Sequence, residues 1–163
     1  MTRSISIVQT TDIELAVELR VEFQELMSGP IPLEGIAGFR EANRIHFRAG
    51  FADGSVVVFL VSVDDAVAGC AMLQEQRMIP NLLVPTGRTG MALNVMVREA
   101  FRRQGLGETL MRAVEAEGRA RGLDRLDLKA TELGEPLYRR LGWGEPKGGE
   151  PMERSLRTSI GLR

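Results

Sequence analysis

The stretch RRQGLGETL, Arg102 to Leu110, sets two arginines and a glutamine ahead of Gly105-Leu106-Gly107 and a run of helix formers. A helix start leaves backbone N–H groups unpaired and carries partial positive charge. Phosphate oxygens bind there readily. Glycine lets them reach the backbone without a Cβ in the way, and Arg102 and Arg103 add charge suited to a diphosphate. These residues predict an anion cradle between a strand and a helix.

Two common cradles are excluded. A P-loop needs Lys followed by Ser or Thr after its last glycine, and neither follows Gly107. A dinucleotide fingerprint needs Gly or Ala where Leu110 stands. The pattern [RQ]-x-x-G-x-[GA] does fit, read as Arg102, Gly105 and Gly107. Alone it is a short signal, also open to a helix entry made flexible by glycine.

The surrounding elements can be read from periodicity. SISIVQ at Ser4–Gln9 alternates as a half-buried strand does. Thr11 with Glu14 predicts a capping box. Ile13, Ala16, Leu19, Phe23 and Leu26 then mark an amphipathic helix that Gly29-Pro30 stops. A second helix is predicted over Leu33 to Ala49, then a turn at ADGS. SVVVFLVSVD, Ser55–Asp64, reads as a strand buried on both faces. Asp64-Asp65 turns it into AVAGCAMLQEQ, which completes a hairpin. The loop Met78–Gly90 precedes a third strand, Met91–Val97. The glycine stretch then leads into a helix from Gly105 to Arg121, with Glu-to-Arg pairs at i,i+4 on its wet side and Gly122 at its end. LDRLDLKAT alternates as a strand, GEPLYRRLGW reads as a short helix, and EPMERSLR as a last strand. The order predicts a mixed α/β fold with helices on both sheet faces, in one domain spanning 1–163.

Composition bounds the rest. The 163 residues carry 44% apolar side chains and a net charge of −1. That balance suits a globular chain and asks for neither nucleic acid nor an anionic membrane. No apolar run approaches the roughly 20 residues of a membrane-spanning helix, and the N-terminal stretch lacks a secretory h-region. A cytoplasmic setting is expected. Cys70, the one cysteine, forms no internal disulfide and reads as a small core residue. With one histidine, His46, and one cysteine, no zinc site of usual spacing is expected.

Taken with LNVMVREAF before the glycine turn and LKATELGEPLYRRLGW after the next strand, the chain resembles the GNAT superfamily of acetyl-CoA-dependent acetyltransferases. The resemblance spans Val56 to Trp143 and is strongest in Asn94–Leu110 and Leu126–Trp143. It implies a mostly antiparallel central sheet whose one parallel pair, Met91–Val97 and Leu126–Thr131, splays to form the cofactor cleft. It implies acetyl-CoA as co-substrate, no metal, and an amine acceptor. Arg103, Gln104, Gly105, Leu106, Gly107, Glu108 and Thr109 would hold the pyrophosphate through their amides, helped by Arg102. Val95, Met96 and Val97 would meet the pantetheine arm and stabilise the oxyanion. Tyr138 would protonate the departing thiolate, the alternative being a phenol that only packs under the sheet. Thr131 stands where many members carry Asn, Gly134 where Ala is usual, and Trp143 where Phe is common, so the carry-over is weakest at Thr131.

Direct transfer needs a deprotonated amine. Asn94 faces the cleft if strand alternation holds, where it would position water or the amine. Glu75 and Glu132 are candidate bases, each also readable as a solvated strand-end charge. Arg40, Arg44 and Arg48 form a stripe that reads as a solvated helix face, or as a greeting for an acidic substrate group or the 3′-phosphate of CoA. The leading expectation is acetyl transfer to a small primary amine. The alternatives are a protein N-terminus or lysine as acceptor, or an acyl-CoA-binding domain without turnover. A homodimer is left open.

Overall fold

The structure, a computed structural model, describes residues 3–149 and 151–157. The chain forms two compact units, Met1–Ala130 and Thr131–Arg163.

The first unit is built on a five-stranded sheet in sequential order. Its strands are β1 (Ile5–Thr10), β2 (Val56–Val63), β3 (Ala66–Arg77), β4 (Arg88–Val97) and β5 (Arg125–Asp127). Neighbours run antiparallel except β4 and β5, which are parallel. Helices α1 (Ile13–Ser28), α2 (Leu33–Asp53) and α3 (Leu106–Ala120) flank the sheet, and a single 3-10 turn, Glu99–Phe101, follows β4.

Period-two alternation divides the core. Val56, Val58, Leu60, Cys70, Met72 and Met96 cluster with Ala16, Val17 and Leu19 of α1 and Phe47 of α2. The opposite parity in β2 and β3, including Val57, Phe59 and Leu73, is buried as well. That face belongs to α3, whose Leu106, Leu110, Met111 and Val114 are buried. β2, being central and covered on both faces, is therefore apolar throughout, as its sequence predicts. Asp64 and Asp65 both adopt left-handed backbone, φ 48° and 65°, as a two-residue hairpin turn requires.

Several expectations are corrected. The cap of α1 is Asp12, whose carboxylate accepts from the Leu15 amide at 3.0 Å, so the helix starts one residue later than a Thr11–Glu14 box would set it. β1 lies at the sheet edge with all but Thr10 exposed, not half-buried. α2 continues through Asp53 to the left-handed Gly54. β4 starts at Arg88, which shortens the preceding loop. β5 ends at Asp127 rather than Thr131. Residues 151–157 form no strand; Pro151 removes a ladder donor and every residue there is exposed. Glu150, the first residue of that expected strand, lies outside the described residues.

Two glycines make room for β5. A Cβ on Gly90 of β4 would lie 2.7 Å from Leu126 Cδ2, and one on Gly118 of α3 would lie 3.1 Å from the same atom. Leu126 thus fills a slot that only glycine leaves open, and this seats β5 against both elements.

The second unit contains α4 (Glu135–Arg140), with Pro136 in its first turn and Gly142 just past its end at φ 90°.

Candidate functional site

β4 is where the sheet becomes chemically useful. It pairs with β5 only at Thr89↔Arg125, Gly90↔Leu126 and Met91↔Asp127. Beyond Met91 it continues to Val97 with no strand partner on that side among the described residues. Its backbone N–H and C=O groups there remain available to an extended ligand.

The same stretch carries a β-bulge. Cys70 opposes Met96 and Met72 opposes Leu93, so Ala71 alone spans the pair Asn94-Val95. Asn94 absorbs the extra residue in left-handed backbone, φ 54°, a conformation Asn tolerates better than most residues. A bulge breaks the ladder and leaves the extra residue's amide unpaired.

The Asn94 side chain faces α1, the side of the sheet that Met96, two residues on, also faces. It is 3% exposed, and its Nδ2 donates to the Leu19 carbonyl of α1 at 3.1 Å and to Cys70 Sγ at 3.5 Å. Its Oδ1 accepts from Arg20 Nη1 at 3.1 Å. Cys70 donates its S–H to the Asn94 carbonyl at 3.4 Å, and burial pushes that thiol up to about 11. Cys70 is thus an inert core group, as expected.

The strand then leads into the glycine turn. Arg102 Nε donates to the Val97 carbonyl at 3.1 Å, which ties the turn to the strand end. Arg103 (φ 60°) and Gly105 (φ 76°) are left-handed. Gly105 occupies the N-cap of α3 and supplies no side-chain cap. From Arg103 to Glu108 no amide donates to a backbone or side-chain acceptor among the described residues; the first to do so is Thr109, to the Gly105 carbonyl at 3.0 Å. A Cβ built on Gly105 meets nothing within 4 Å. The helix start is therefore open, uncapped and rich in unused donors, which fits an anion with several oxygens. Gly107 lies inside α3, so what it contributes is a missing side chain rather than an unusual dihedral.

Neighbouring polar groups are held away from those donors. Glu108, whose charge would compete with an anion, is bound by Arg112 at 2.7 Å. The Thr109 hydroxyl donates to the Gly105 carbonyl at 3.2 Å, and Gln104 Oε1 accepts from Arg3 at 3.0 Å. A groove of about 360 Å³ runs beside the strand end, lined by Glu22, Leu26, Met96, Val97, Arg98 and Arg102 among others.

In the second unit, Thr131 and Tyr138 share one turn. The Thr131 hydroxyl accepts from the Gly134 amide at 3.1 Å, so it closes the entry to α4. A Cβ on Gly134 would stand 3.0 Å from Tyr138 Cε2 and 3.2 Å from Thr131 Oγ1. Tyr138 is buried, its ring centroid 6.4 Å from that of Trp143. Burial raises its hydroxyl above the ordinary phenol value and so keeps the proton on. That hydroxyl has no hydrogen-bond partner among the described residues, while no fully buried side-chain polar atom is left unpaired. The phenol therefore reaches a solvent-accessible space.

The candidate bases differ. Glu75 accepts from Arg88 at 2.9 Å and lies 3.6 Å from Arg121, and the Arg88 hydrogen bond holds its carboxyl below the usual carboxylate range. Arg121 is the C-cap residue of α3, so Glu75 is a clamp between the sheet and that helix, poorly suited to taking a proton. Glu132 is exposed. Two members of the arginine stripe are not a free solvated face: Arg44 binds Glu14 at 2.6 Å and Arg40 pairs with Glu18, which joins α2 to α1, while Arg48 is exposed. His46 is exposed, its ring edge-on to Phe47 at 6.1 Å. No group of three or more metal-ligating side chains occurs among the described residues, and no described helix is long and apolar enough to cross a membrane.

One residue of this neighbourhood is not marked by any motif: Arg20. Its signal in the sequence is its place in the apolar stripe of α1, four residues after the buried Ala16 and one after Leu19.

A sheet opened on one side of a bulged strand, followed by an uncapped helix start, sets a free strand edge beside a row of unused amide donors. The chain belongs to the acetyltransferase (GNAT) family, whose model matches residues 20–143. It is an acetyltransferase enzyme of that family, with the family's mixed fold. Its fold is similar to a GCN5-related N-acetyltransferase from Ralstonia eutropha JMP134, at 26% identity over 91% of this chain and 99% of that one, TM-score 0.75. It is similar also to a predicted acetyltransferase from Clostridium acetobutylicum solved with acetyl-CoA, at 20% identity over 92% and 96%, TM-score 0.79. A third is glucosamine-6-phosphate N-acetyltransferase from Arabidopsis thaliana, at 14% identity over 96% and 100%, TM-score 0.66. No curated protein sequence matches it.

Proposed function

We propose that the chain, acting as one catalytic domain, transfers the acetyl group of acetyl-CoA directly to a primary amine of a small molecule. The observation that supports this best is the row of undonated amides from Arg103 to Glu108 at the uncapped start of α3. Acetyl-CoA fits what is present. The amides and Arg103 would take its pyrophosphate, and Val95, Met96 and Val97 on the free edge of β4 would take its pantetheine arm by main-chain pairing. The co-substrate supplies an activated thioester carbonyl.

The chain's own residues do the rest. Fixing both reactants lowers the barrier by removing their translational freedom, worth up to about 7–11 kcal/mol in ideal geometries. An unpaired amide at the Asn94-Val95 bulge serves as an oxyanion donor. Tyr138, protonated and unpartnered, gives its proton to the sulfur as the C–S bond breaks. The amine proton leaves by water, because Glu75 is engaged with two arginines. Asn94 acts as a positioning residue: its amide joins α1 to the bulge and so fixes where the unpaired backbone points. Thr131 acts in the same way on the turn that carries Tyr138.

Thiol release from acetyl-CoA across a panel of amines tests the reading. Amine-dependent release with stoichiometric acetylated amine supports it. Acetyl-CoA binding with no amine-dependent release would leave a binding domain, and activity confined to peptides would move the acceptor to protein.

A further inference from the structure

Arg20 stands apart from every other half-buried arginine among the described residues. Arg40, Arg44, Arg88, Arg98, Arg121 and Arg125 each hold a carboxylate. Arg20 holds none among the described residues. Its one hydrogen bond is to the neutral Oδ1 of Asn94. Three of the four acids of α1 are engaged elsewhere: Glu14 by Arg44, Glu18 by Arg40, and Glu22 by Arg98 through two bonds of 2.9 and 2.8 Å, while the fourth, Glu25, forms no ion pair with Arg20.

A guanidinium withdrawn from water costs free energy unless an anion faces it. Most of its N–H donors are unused, and their fork matches the paired oxygens of a carboxylate or phosphate. Burial also favours loss of its proton, the direction expected where no negative group compensates. Its location is specific. Through Asn94 it is joined to the bulge of β4, the point at which the acetyl carbonyl is held in the function proposed above.

We infer that Arg20 is the acceptor-recognition residue of this enzyme and that the amine it acetylates carries an anionic oxygen group, a carboxylate or a phosphate. This rests on the acetyl-transfer reading. The anion pairs with Arg20, and the amine is thereby oriented toward the thioester. Asn94 holds the guanidinium in place before the acceptor arrives.

The test compares matched amines in the thiol-release assay: β-alanine against β-alaninamide, and 2-aminoethyl phosphate against ethanolamine, with further pairs of the same design. The wild type should favour the anionic member of a pair by at least about tenfold in kcat/KM. The better pair tells carboxylate from phosphate. Arg20→Gln should reduce that preference to within about twofold by raising the acceptor KM, and Arg20→Lys should restore part of it. The KM for acetyl-CoA should stay unchanged. Wild-type enzyme that acetylates neutral amines as well as anionic ones overturns the inference while leaving the transferase intact, and this outcome needs no variant to fold. An Arg20→Gln effect confined to the KM of acetyl-CoA, or an equal loss with both members of a pair, overturns it too. Acetyl-CoA binding without transfer to any amine instead removes the transferase reading beneath it.

Discussion

Arg20 of α1 and Asn94 of β4, 74 positions apart, meet through a 3.1 Å hydrogen bond at the one left-handed residue of the strand. Asn94 also holds the Leu19 carbonyl, so a single side chain joins helix, strand and bulge. Asn94→Ala should destabilise the fold by about 1–3 kcal/mol, because buried polar partners lose their bonds and the left-handed backbone disfavours a Cβ. Asn94→Gly, which relieves only the backbone, should recover part of that loss. Equal unfolding midpoints for wild type and Asn94→Ala in denaturant would show that this junction is not structural.

Tyr138→Phe should lower kcat by about 10²-fold or more, the usual scale of a general acid, with acetyl-CoA affinity unchanged. Stopped-flow thiol release and equilibrium binding read the two separately. A variant with wild-type kcat would leave Tyr138 as a packing residue against Trp143.

The same phenol sets a pH limit. Burial raises its folded value above the ordinary phenol value of about 10. The acid form is therefore intact throughout the neutral range and is lost only as pH rises past that raised value. The phenol should add no pH dependence of its own to the wild-type kcat through neutral pH and should impose a fall on the far alkaline side. In Tyr138→Phe that alkaline limb should disappear.

Glu75 binds Arg88 and Arg121, joining β3, β4 and the end of α3. Glu75→Gln should lower Tm by about 2–6 °C at neutral pH. Its folded pKa lies below the unfolded value. The contribution is thus complete above the ordinary carboxylate range and fades as pH falls through the lowered value. Thermal melts of both proteins should converge toward acid, and a difference that grew on acidification would reverse the assignment.

Much of this was legible in the sequence where one physical signal dominates. The β-branched run at Val56–Val63 and the amphipathic stripe of α3 follow from burial pattern alone. The glycine turn was legible because an uncapped helix start leaves a mark in residue type. The bulge was not: alternation carries no sign of an inserted residue. Nor does alternation report partners: it carries LDRLDLKAT past Asp127, where β5 ends, and reads EPMERSLR as a strand that residues 151–157 do not form. Arg40 and Arg44 looked solvated because their acids, Glu18 and Glu14, lie on another helix. Arg20 carries no mark in the sequence for the complementary reason: what distinguishes it is the lack of a carboxylate partner among the described residues, which only the folded chain reveals.

The central claim is that amides of the Arg103–Thr109 turn hold the pyrophosphate of acetyl-CoA. A crystal structure with acetyl-CoA at saturating concentration tests it most directly. The account predicts pyrophosphate oxygens within hydrogen-bond distance of those amides, the pantetheine arm along Val95–Val97, and loss of that density in Gly107→Val. Pyrophosphate bound elsewhere on the molecule, or bound as tightly by Gly107→Val, would contradict it.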